Sequence, residues 1–268
     1  MIADAILSSE TPAGSEQLPS KVRLYDVMAR AFYDAYVPSY SVSYDTLGDQ
    51  ETYSLRYTWE LAIYFAFYVF PFINDLFTDP TFGPGFLRRF AKLGPLNTGV
   101  HPFLVDFLRW KRERGMTAPS RPAFFDFSSI GPLAETQGLF FEVGVDAGRA
   151  RQLLDETHET LERLMRFVVA HVSAVVVDDD RLLSHPDFIE GIDLTDLRFD
   201  PYAIVRRWEM LQGKPCADTY EWGFDPLVLR RALRGETSPC PIKSRPKGRR
   251  KKEMATSVEV PTFAEVSR

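Results

Sequence analysis

The sequence predicts a mainly α fold, an irregular multi-helix bundle around a central aromatic-rich helix, with disordered termini. Three observations carry this prediction. Apolar residues recur at helical spacing in several long segments, helix start and stop signals bracket them, and no convincing run alternates at period two. With 268 residues and 45% hydrophobic content, the chain can bury a substantial core. Its 21 Phe, 11 Tyr and 4 Trp are large, stiff side chains that suit either a wide helical core or an apolar ligand pocket.

Residues 1–20 are rich in Ser, Pro, Gly and Glu without periodicity and read as a flexible N-terminal arm. A first helical region, 21–116, follows. Leu24, Met28, Ala31, Phe32, Ala35 and Tyr36 mark an amphipathic helix that should stop near Pro38. Gly48 supplies a turn, and Asp49 is placed to cap the central stretch Tyr53 to Asp79. Between Glu60 and Asp75 lie 14 uncharged residues, short of the about 20 that cross a bilayer, so a buried helix and no transmembrane segment are expected. Pro71 should kink or end that helix. Phe86 to Leu93 reads as a short helix, and Phe103 to Trp110 as another beginning near Pro102.

Residues 117–146 read as an irregular linker and a candidate boundary. A second helical region, 147–235, opens with the strongest amphipathic signal, Leu154, Leu161, Leu164, Met165, Val168, Val172 and Val175. Two further helices share the start signal Phe-Asp-Pro, at Phe199 and Phe224, with Gly213 and Gly235 as stops. Residues 236–268 read as a disordered basic tail.

Seven Lys and Arg fall within residues 243–252, and subtracting them from the formal −5 leaves −12 for the rest. An acidic body does not attract nucleic acid, so the tail residues Lys247, Arg249, Arg250, Lys251 and Lys252 are the candidate partner-docking element. Cys216 and Cys240 form no C-x-x-C pair, and the N-terminus lacks a basic start followed by an apolar run, which points to a reduced, cytoplasmic protein.

No two histidines stand at i, i+3 or i, i+4, so no metal site is expected, and Asp178-Asp179-Asp180 lacks the further carboxylate of a diphosphate-binding motif. No glycine-rich phosphate cradle and no G-x-S-x-G elbow occurs, and no catalytic residue is identified. At 100° per residue, Tyr53, Tyr57, Glu60, Tyr64 and Tyr68 fall within a stripe about 80° wide, whereas Trp59, Ile63, Ala66 and Phe70 share another face. Tyr57, Glu60, Tyr64 and Tyr68 are therefore the candidate binding residues for an apolar or aromatic small molecule. The plainer reading makes Glu60 a structural partner of the tyrosines or of Arg56. A carboxyl facing a cavity would instead have a raised pKa suited to acid/base work.

Leu24-Tyr25, Phe32-Tyr33, Tyr36, Leu47-Gly48-Asp49, Tyr57-x-Trp59-Glu60-x-x-x-Tyr64-Phe65 and Leu76-x-x-Asp79 form a further pattern. Over residues 21–113 it resembles the helical C-terminal region of flavin-dependent oxidoreductases of the halogenase and geranylgeranyl-reductase-like superfamily. The family's G-x-G-x-x-G and W-x-W-x-I-P motifs are absent. The resemblance implies a detached substrate-side or accessory region, catalytically incomplete alone, with no cofactor of its own and FAD on a flavoprotein partner. The alternative is a stand-alone helical interaction protein that docks through its tail. The first requires a concave site beside the tyrosine stripe; the second requires the stripe to be packed.

Overall fold

A computed structural model describes residues 1–116, 124–212 and 218–236, which are predominantly helical and contain no strand. The proposed docking residues of the tail, and both cysteines, lie outside the described residues. Residues 1–20, expected as a loose arm, are helical: α1 spans Ile2–Ser9, and α2 spans Pro12–Ser43. The signal is capping instead of apolar periodicity, since Thr11 accepts a bond from the Gly14 N–H and Pro12 takes the first helical position. Lys21 then bonds Asp4 at 3.1 Å and Ser8 at 2.8 Å, and the Tyr25 hydroxyl bonds Asp4 at 2.5 Å, tying α1 onto α2. α2 also runs past Pro38, where a stop was expected. A proline removes one helical bond, and packing of α2 along later helices outweighs that loss.

The central stretch follows its sequence signals more closely. The Asp49 side chain accepts from the Thr52 N–H and opens α3 (Gln50–Ile63). A π-helical turn (Tyr64–Val69) follows, in which the Phe70 N–H bonds the Phe65 carbonyl, five residues back. It leads into the short α4 (Phe70–Ile73), which contains Pro71. Pro71 cannot donate to the Phe67 carbonyl and its ring would strike it, so the chain widens by one residue there.

α5 (Gly83–Lys92) and α6 (Gly94–Glu113) come next. α6 begins eight residues before the expected start and carries Pro102 inside it. α7 (Gly131–Gly138) lies within the stretch expected to be a linker, yet it buries Pro132, Leu133 and Thr136 and packs on α3 and on α8 (Ala147–Val177). The short α9 (Pro186–Glu190) follows. Asp200 accepts from the N–H groups of Tyr202 and Ala203 and opens α10 (Pro201–Gln212) as predicted. Asp225 organises a turn before α11 (Val228–Leu233).

Residues 1–236 pack as one unit, and a single cluster runs from Met28 through Trp59, Phe67 and Phe86 to Leu161, Phe167 and Trp222. The two predicted helical regions therefore share one core. Trp59, Ile63, Ala66 and Phe70, placed together by helical spacing, are all buried in it. Phe32, Phe67, Tyr68, Phe77, Phe86 and Phe90 interlock between α2, the π turn, the 3-10 turn Leu76–Thr78 and α5, with ring centroids 4.8 to 6.1 Å apart.

One polar network crosses this core. The Lys111 ammonium donates to both Asp49 oxygens at 3.0 and 2.8 Å and to Glu51 at 2.9 Å, and the other Glu51 oxygen lies 2.9 Å from His171 Nε2. Lys111, Asp49 and His171 are buried. The network joins the start of α3 to the end of α6 and the C-terminal part of α8, and so fixes the helix that carries the tyrosine stripe.

Candidate functional site

α2, α3, the π turn, α5 and the first two turns of α6 enclose a cavity of about 780 Å³. Tyr57, Glu60, Tyr64 and Tyr68 all line it. Tyr53, from the same stripe, does not; it stacks on Tyr57 with centroids 5.4 Å apart and planes 14° apart. Tyr40 and Tyr64 are 52% and 46% exposed and mark the side open to solvent.

α2 supplies the wall opposite the stripe. Tyr36 meets Tyr68 edge to face at 5.2 Å and 81°, and stacks on Tyr40 at 5.4 Å and 23°. Burial pushes the Tyr36 hydroxyl up to about 12, with Tyr40, Glu60 and Tyr64 adding to the shift. Burial also raises the Tyr68 hydroxyl, and both remain neutral at ordinary pH. Asn97 of α6 braces the walls: it accepts from Trp59 Nε1 at 3.2 Å and donates to the Ala35 carbonyl at 3.0 Å and the Ser39 hydroxyl at 3.1 Å. Three helices are thereby joined by one side chain that itself lines the cavity.

Glu60 is half-buried and faces Arg56 at 3.6 Å, a long contact. Both sequence readings of Glu60 thus meet in one residue, since it touches Arg56 and borders the cavity. Burial raises its pKa from the ordinary carboxylate value, and Arg56 opposes that shift. The Arg56 Nε is buried without a partner.

His101 of α6, only 2% exposed, also borders the cavity, and neither ring nitrogen has a hydrogen-bond partner. Burial, with the charge of Arg56, lowers its pKa to about 4 and keeps the ring neutral at pH 7. Immediately after it, Pro102 has no N–H to give the Thr98 carbonyl, and Thr98 and Pro102 both line the cavity. His101, Asn97, Tyr36 and Tyr40 were not singled out as site residues from the sequence. The one signal available was the His-Pro pair, which marks a helix position where backbone bonding is incomplete.

Asp178, Asp179 and Asp180 serve the chain itself. Asp178 ends α8 in the left-handed region at φ 50°, Asp179 accepts from the Arg181 N–H, and Asp180 pairs with Arg230 Nε at 2.7 Å. Among the described residues, no group of three or more His, Cys, Asp or Glu side chains could hold a metal ion, and no helix is long and apolar enough to cross a membrane. No protein-family model, curated protein or solved structure matches the chain.

Proposed function

We propose that this protein binds an apolar, ring-bearing or polyene small molecule in the cavity between α2, α3 and α6. The single observation that carries the reading is the position of the tyrosine stripe. Four of its residues line a cavity of about 780 Å³, although Tyr57 and Tyr68 also pack against neighbouring rings. That volume lies within the range of small-molecule sites, and the lining combines aromatic faces with a few polar groups, as such sites do. A protein acting only through its tail has no need of such a space.

Titration with the uncharged fluorophore N-phenyl-1-naphthylamine tests the proposal. Saturable binding near one equivalent is expected, and Ala35→Trp, which fills the cavity from α2, should abolish it while leaving the far-ultraviolet circular dichroism unchanged. Binding that is unsaturable, or that a folded Ala35→Trp variant retains, would remove the reading.

The sequence resemblance adds a partner to this proposal: a separate flavoprotein carrying FAD, to which the chain would present its ligand. Its support is the aromatic spacing alone, and nothing in the cavity calls for a flavin. Isolating the chain with its associated proteins from its own host, and finding no flavin absorbance with it, would set that partner aside without touching the ligand proposal.

A further inference from the structure

The charge of the lining is one-sided. Asp34 and Glu60 border the cavity, and among the described residues no Lys or Arg does. His101 contributes no positive charge at pH 7, because burial and Arg56 hold its ring neutral. Arg56 lies behind Glu60 and offsets part of its charge, but it does not line the cavity.

The aromatic walls favour the same sign. Tyr36 and Tyr68 meet at 81° with centroids 5.2 Å apart, and Tyr68 meets Phe90 at 86° and 5.9 Å, so the rings form adjoining walls instead of one flat stack. Ring faces attract cations within about 6 Å, and a carboxylate beside them adds direct Coulomb attraction. An anionic group would meet Asp34 and Glu60, with Arg56 set behind Glu60 and outside the lining.

We propose that the ligand of this cavity is an organic cation, an apolar body bearing a protonated amine or quaternary ammonium group seated between Glu60 and the faces of Tyr36, Tyr64 and Tyr68. The inference rests on the ligand-binding reading of the cavity and adds the charge of the ligand to it.

Three probes with one naphthyl body test it by isothermal titration at pH 7: (2-naphthylmethyl)trimethylammonium, 2-naphthalenemethanol and 2-naphthylacetate. The cation should bind about tenfold or more tighter than the alcohol, with the acetate weakest. Added salt should weaken only the cation. Glu60→Gln should remove most of the cation's advantage while the alcohol's affinity stays the same. Asp34→Asn, at an exposed position, should give a smaller loss in the same direction. Equal or tighter binding of the alcohol or acetate overturns the charge inference and leaves the pocket standing. The same holds if a folded Glu60→Gln variant keeps the full cation advantage. If none of the three binds saturably, the ligand reading falls and the charge inference with it. The wild-type ratio of cation to alcohol decides the matter even where Glu60→Gln fails to fold.

Discussion

Lys111→Met should be among the most damaging single changes to this protein. The ammonium makes three contacts of 2.8 to 3.0 Å with Asp49 and Glu51, and methionine fills the same space while leaving two carboxylates facing each other in the core. Removing one partner of a buried pair costs about 3–5 kcal/mol. The Glu51 carboxyl reports on the same network, in which His171 contributes more than Lys111. Burial alone would push that carboxyl up, but the hydrogen bond and charge of His171, then the charge and bond of Lys111, hold it at about 2 against an ordinary 4.5. A shift of that size corresponds to roughly 3 kcal/mol of stability. Because the folded pKa is depressed, this stability is fully present above about pH 4.5 and is lost as pH falls toward about 2. In Lys111→Met the Glu51 pKa rises in the folded state, so the variant should be weaker at pH 7 and lose less on acidification. For a chain of this size, the melting temperature should drop by roughly 6–20 °C. Scanning calorimetry and urea unfolding from pH 2.5 to 7 provide the assay. A loss below about 1 kcal/mol at pH 7, with the wild-type acid slope retained, would refute the reasoning.

Three further changes probe the cavity walls and the core. Asn97→Ala strands the Trp59 indole N–H and releases α2, so it should cost about 1–3 kcal/mol and speed hydrogen exchange in the Ser39 to Ser43 turn. His101→Phe replaces two buried, unpartnered nitrogens with carbon in a similar shape. It should raise stability by about 1 kcal/mol in urea unfolding, and a loss of that size would show that the imidazole is satisfied after all. Phe67→Ala removes a fully buried ring from the aromatic cluster and should cost about 3–5 kcal/mol by the same measurement.

The cap at Asp49, the buried face of α3 and the start of α10 were legible because each depends on residues within one or two turns of sequence. The four predicted site residues share one helical stripe, and the structure brings them to one cavity. The facing wall was not legible. Tyr36 and Asn97 reach Tyr68 and Trp59 across α2 and α6, and that juxtaposition is a matter of helix packing, with no periodicity of its own. The prolines misled in a consistent direction. Pro38 and Pro102 were read as helix limits, but α2 and α6 continue through them, since one missing hydrogen bond is small beside the packing of a long amphipathic helix. The expected loose arm failed for another reason: Asp4 is held by Lys21 and Tyr25, and nothing in the composition of residues 1–20 announces those partners.

The π turn at Tyr64–Val69 has a consequence for how this chain tolerates changes of length. In register it behaves as one surplus residue in an otherwise continuous helix. Deleting a residue inside the turn would let the segment close as ordinary α-helix, with only Pro71 opposing it. Deleting one between Leu55 and Trp59 would rotate everything on one side of the cut by about 100°, and the two could not both stay in the core. Related sequences that differ in length along this helix should therefore place their gaps between Tyr64 and Val69, where helical register is kept on both sides of the cut and the repacking is confined to Ala66, Phe67 and Val69.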